Sequence, residues 1–109
     1  MEGMNFAAID IGTNAARLLI KNIDHNPLGE TKFRKVLFIR YPLRLGMDVF
    51  SKGKIGKERA EMMMRMIKGF KQMMRMYDVV DYRVLVKLYF LVRMAILFSQ
   101  HNIGSKKFR

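Results

Sequence analysis

The segment Phe6–Ile20, which reads FAAIDIGTNAARLLI, limits this chain more than any other. An apolar run reaches a single acid, Asp10. Gly12, Thr13 and Asn14 follow, and Arg17 opens a second apolar run. Two short strands joined by a tight turn accommodate that order, and so short a connection makes them antiparallel. A carboxylate at the end of a buried strand is costly unless it is paired or binds a cation. Gly12 lets the backbone turn and lets a ligand come close. Thr13 and Asn14 set hydroxyl and amide groups beside backbone N–H donors, which suits an anion nest. An ordinary hairpin uses the same D-x-G-x-N chemistry. Pattern alone leaves the two readings level.

The remaining elements follow from periodicity. Residues 5–11 read as a central strand and 15–23 as its antiparallel partner. Asp24 to Gly29 form a loop rich in turn residues. Residues 31–41 read as a third strand near an edge, with Phe33, Leu37, Ile39 and Tyr41 on one face, ended by Pro42. Residues 43–56, with three glycines, read as a linker. A helix spans about 57–77, with Ala60, Met63, Ile67, Phe70, Met74 and Tyr77 as its apolar stripe. Gly56 is its N-cap, and Glu61 with Arg65 forms an i,i+4 pair. Residues 78–81 break the helix, and a fourth strand begins at Tyr82. A helix between strands is a crossover, so the fourth strand lies parallel to an earlier one. The class is α/β, in the order β-β-β-α-β-α, the last helix read at about 88–100.

Composition narrows the function classes. The 109 residues hold at most one domain. The absence of cysteine excludes disulfides, thiolate metal sites and a thiol nucleophile. His25 and His101 lack ligand spacing. The N-terminus lacks the layout of a signal peptide, which together with the missing cysteines points to the cytoplasm. The net charge is +12, which favours polyanions. All nine acids lie at or before Asp81, and residues 82–109 hold six basic residues and no acid.

The turn segment Ile9–Leu19 resembles the first phosphate motif of the Ppx/GppA family, the exopolyphosphatases and guanosine pentaphosphate phosphohydrolases of the actin-like superfamily. The family form is D-x-G-[ST]-N-[ST]-x-[RH]-L, from which Ala15 departs. Pro42–Gly46 is similar to the family's V-R-L-G element. Gly53–Glu58 resembles the G-x-[IL]-[ST]-x-E that opens its next helix. The likeness runs over about residues 5–84 and implies a partial actin-like (ribonuclease H-like) domain. The Arg17-Leu18 step and the R-L-G element argue against a kinase of the same superfamily. The resemblance implies that Asp10 holds a divalent metal, Mg²⁺ or Mn²⁺, directly or through water. It implies that Gly12, Thr13 and Asn14 cradle a phosphoryl group of polyphosphate or guanosine pentaphosphate. Arg17 lines the cleft or is an exposed strand arginine. Arg44 faces the phosphate channel or packs the linker.

After Val84 the family motif A-T-S-A-x-R-[DE]-A is replaced by Leu85-Val86-Lys87-Leu88-Tyr89-Phe90. The family's catalytic glutamate and its second phosphate motif are also missing, so no catalytic residue is assigned. The expectation is an N-terminal fragment, residues 1–84, followed by a divergent basic tail, 85–109, of the kind a frameshift produces, and without phosphatase activity of its own. The tail reads either as a membrane-surface segment or as an element packed on the sheet; it is too short and charged to span a bilayer. Seven of eleven methionines fall between Met62 and Met76. Met62, Met66, Met73 and Met76 widen the helix's apolar arc, an expected route to self-association. A second reading, from charge and tail, is a basic module for nucleic acid or anionic membrane. No nucleic-acid motif supports specific binding of that kind.

Overall fold

The computed structural model describes residues 3–87. Strands β1 (Met4–Ile11), β2 (Ala16–His25) and β3 (Thr31–Tyr41) are followed by helices α1 (Leu45–Lys52) and α2 (Lys57–Met76) and strand β4 (Val79–Val86). The four strands form one sheet in the order β3-β2-β1-β4. The first three make an antiparallel meander, and β4 pairs in parallel with β1. This is the mixed α/β arrangement expected, with the crossover strand beside the central one. The helix expected at 88–100 lies outside the described residues.

Alternation builds the core. Ala7, Ile9 and Ile11 of β1 and Ala16, Leu18 and Ile20 of β2 are buried on one face. Helix α2 lays Met66, Phe70 and Met74 on that face. Each such side chain contributes about 1.5–3 kcal/mol through loss of water contact. The stripe sits slightly to one side of the one expected. Met62, Met66 and Met73 pack with the core, while Met64 and Met76 are exposed. Glu61 and Arg65, expected as a pair, are both exposed and form no ion pair among the described residues.

Three departures from the expected elements have local causes. Residues 45–52, expected as linker, form α1. Its inward positions are Leu45, Gly46 and Asp48, which conceal an apolar stripe. Gly53, at φ 71°, closes it by donating its N–H to the Val49 carbonyl. Strand β3 carries a bulge, because Ile20 faces Leu37 while Lys21 faces Lys35. Val36 is the extra residue, and the parity reverses there. Phe33 is therefore 65% exposed instead of joining Leu37, Ile39 and Tyr41. Strand β4 starts at Val79, three residues earlier than expected, because Asp78 alone, at φ 51°, turns the chain out of the helix.

One polar chain crosses the core. The buried Asn22 amide donates to Asn5 Oδ1 at 2.9 Å, and the Asn5 amide donates to the Tyr77 carbonyl at 2.7 Å. Two paired strands thus hold the C-terminal end of α2, and a buried amide finds its partner.

Candidate phosphate-binding site

The β1–β2 hairpin sets Asp10 opposite Arg17, on the sheet face that α2 leaves uncovered. Between the strands the Gly12 N–H donates to the Ala15 carbonyl at 3.0 Å. The next two carbonyls are held from outside the hairpin. The Gly46 N–H donates to Thr13 O, and the Arg44 N–H to Asn14 O, each at 2.9 Å. The turn thus rests on the entry to α1. Its Thr13 and Asn14 N–H groups have no backbone acceptor among the described residues. Free N–H donors on a rigid turn are what an anion nest requires.

The entry to α1 is itself rigid. Leu43 and Leu45 are almost completely buried, with Arg44 exposed between them. Arg44 lies at φ 55°, in the left-handed region, which costs a non-glycine residue about 1–2 kcal/mol. The flanking leucines and the hydrogen bond to Asn14 hold it there. Gly46 is required by proximity: a Cβ there would lie 3.0 Å from Thr13 Cβ and 3.2 Å from Thr13 O. Gly12 is different. Its φ is not positive, and a Cβ would meet only Ala15 O at 3.4 Å. The turn needs a glycine at Gly12 neither for its backbone conformation nor for space.

The parallel strand brings a residue that the sequence does not mark. Val86 faces Ile11, and the Lys87 N–H donates to the Ile11 carbonyl at 2.9 Å. Lys87 Nζ lies 3.1 Å from Asp10 Oδ2, and Arg17 Nη1 lies 3.5 Å from the same oxygen. Asp10 Oδ1 is buried and has no hydrogen-bond partner among the described residues. An orphaned carboxylate oxygen costs about 1–3 kcal/mol or more unless something fills its place. That atom fits a divalent cation. No group of three or more acidic, histidine or cysteine side chains gathers around it among the described residues. A metal here would therefore be held by one carboxylate together with water and phosphate oxygens, a set Mg²⁺ accepts in phosphate sites.

Of the residues expected at the site, Asp10, Gly12, Thr13, Asn14 and Arg17 share the hairpin, and the Arg44 backbone joins it. A cleft of about 400 Å³ borders the turn, lined by Thr13, Asn14, Gly46, Met47, Phe50 and Ser51. A larger one, about 470 Å³, lies between α2 and β3. Its lining is mostly apolar, and it lies across the sheet from Asp10.

Behind the turn a second carboxylate fixes α1 to α2. Asp48 is buried; its Oδ2 accepts the Gly56 N–H at 2.8 Å and its Oδ1 accepts Arg59 Nε at 2.9 Å. Arg59 also donates to the Leu43 carbonyl at 2.7 Å. Burial pushes the Asp48 carboxyl up, but the Gly56 N–H, Arg59 and the Lys52 charge together outweigh it and hold the group below its usual range. Gly56 caps α2 as expected.

No family model and no curated protein matches the sequence. Solved structures do. A PPX-GPPA enzyme of Aquifex aeolicus superposes with a TM-score of 0.70 at 22% identity, over 93% of this chain and 33% of that one. An exopolyphosphatase from Cytophaga hutchinsonii gives a TM-score of 0.67 at 19% identity, over 93% of this chain and 32% of the other. An exopolyphosphatase-like protein gives 0.64 at 25% identity, over 79% and 25%. The chain spans a third or less of the length of these structures. At such identities the likeness establishes the fold, which is the partial actin-like α/β domain expected. No helix among the described residues is long and apolar enough to cross a membrane.

Proposed function

We propose that this chain is an N-terminal part of a Ppx/GppA phosphatase and that its β1–β2 turn binds the terminal phosphates of an oligophosphate, polyphosphate or guanosine pentaphosphate. The observation that carries this is the turn itself. Asp10, with one carboxylate oxygen unpartnered among the described residues, precedes Gly12, Thr13 and Asn14, and the Thr13 and Asn14 carbonyls accept the Gly46 and Arg44 N–H groups. Its setting is a fold shared with Ppx/GppA structures.

The roles follow from position. The N–H groups of Thr13 and Asn14 receive phosphate oxygens. Arg17 and Lys87 supply positive charge beside Asp10. Arg44, exposed and pinned through its backbone to Asn14, adds charge at the mouth. Asp10 Oδ1 would hold Mg²⁺ or Mn²⁺, and a bound metal supplies neutralisation of phosphate charge. Hydrolysis further needs a positioned carboxylate to orient water. The sequence has no acid after Asp81, and the described acids other than Asp10 are bonded elsewhere, exposed or, in the case of Asp24, at the end of β2 away from the turn. Binding without turnover is the expected behaviour of this chain.

Calorimetric titration with tripolyphosphate in Mg²⁺ tests the reading. Binding is expected, reduced at least tenfold by Asp10→Asn and accompanied by no phosphate release. Equal binding by the variant would remove Asp10 from the site. Release of phosphate that Asp10→Asn abolishes would show a complete catalytic centre.

A further inference from the structure

We infer that the Lys87 ammonium competes with a divalent cation for Asp10 and so makes metal binding at this turn depend on phosphate. The inference rests on the reading of Asp10 as a metal ligand. Lys87 belongs to the stretch that departs from the family motif, yet β4 continues into that stretch as far as Val86. Strand β4 ends at Val86, opposite Ile11, so the next residue must lie beside the strand end that carries Asp10. The hydrogen bond from the Lys87 N–H to Ile11 O fixes its backbone there. Its stem then carries Nζ to 3.1 Å from Asp10 Oδ2.

A carboxylate paired in this way is a poorer metal ligand for two reasons. One oxygen is occupied, which leaves Oδ1 alone for the cation. The ammonium also stands within a few ångströms of any ion bound there, and like charges at that range repel even near a protein surface. Arg17 Nη1 approaches the same oxygen at 3.5 Å and adds repulsion of the same sign.

An oligophosphate reverses the balance. It offers Lys87 and Arg17 an anion to pair with, and it supplies oxygen ligands to the metal. Metal and phosphate then bind with positive coupling, and by linkage each tightens the other by the same factor. Lys87 is 58% exposed on a flexible stem, so the exchange needs no rearrangement of the sheet.

Mn²⁺ titration followed by electron paramagnetic resonance, without phosphate, tests this on the full chain. Lys87→Met is expected to bind Mn²⁺ about tenfold more tightly, from loss of a partly exposed pair and of repulsion toward a doubly charged ion. Lys87→Arg keeps the charge and should match the unaltered chain. Lys68→Met, which removes an exposed charge from α2, should also match it. Adding Asp10→Asn to Lys87→Met should abolish the gain. Equal, measurable Mn²⁺ affinity before and after Lys87→Met, lost with Asp10→Asn, would overturn the competition and leave the metal reading standing. No Mn²⁺ bound by either chain would overturn the metal reading and the competition with it.

Discussion

Asp10 and Asp48 are both aspartates close to the same turn, and they are held in opposite ways. Asp48 is buried with both oxygens bonded, to the Gly56 N–H and to Arg59. Asp10 is a quarter exposed, with two cations sharing one oxygen and the other oxygen orphaned. A carboxylate whose acceptor capacity is filled by its own chain is a structural joint. One whose capacity is left open can still take a partner that its own chain does not supply. The difference separates residues that build the site from residues that face a ligand.

The largest expected effect falls on the joint. Asp48→Ala leaves the Gly56 N–H and Arg59 without their shared acceptor and should cost about 3 kcal/mol by denaturant unfolding. A loss under 1 kcal/mol would mean that α1 is not held by this contact. A smaller effect is expected where joint and turn meet. Gly46→Ala pushes a methyl against Thr13 and should cost about 1 kcal/mol, partly offset by better helix propensity. It should also weaken tripolyphosphate binding several-fold. Unchanged binding would show that the rest under the turn is dispensable.

The smallest expected effect is a pH dependence. Because the folded Asp48 carboxyl ionises below its unfolded value, folding favours its charged form. Its contribution is complete above about pH 4 and is lost as pH falls through the folded value. Asp48→Asn should flatten that part of the stability curve. A curve of unchanged slope would remove Asp48 as its source.

Much of the fold was legible in the sequence because two periods state it plainly. Ala7, Ile9 and Ile11 alternate; Met63, Ile67, Phe70 and Met74 step by three and four. The hairpin geometry then followed from the length of the turn. Helix α1 was not legible because its inward face uses a glycine and an acid, whose reasons are the approach of Thr13 and the clamp on α2. The bulge at Val36 left no mark on the pattern, since an apolar residue is also plausible at a regular position. Lys87 became visible only through register. Its partner in space is Asp10, 77 positions away in the chain, and nothing local distinguishes it from other lysines.

The contrast between the two aspartates is tested most directly by thermal unfolding of the unaltered chain, Asp10→Asn and Asp48→Asn, each with and without Mg²⁺ and tripolyphosphate. Asp10→Asn should melt within a few degrees of the unaltered chain, because it loses only partly exposed ion pairs with Lys87 and Arg17, and should lose the ligand-induced rise. Asp48→Asn should melt lower and keep a rise wherever it is folded. Asp10→Asn melting as low as Asp48→Asn, or keeping the full ligand-induced rise, would contradict the assignment of Asp10 to the ligand.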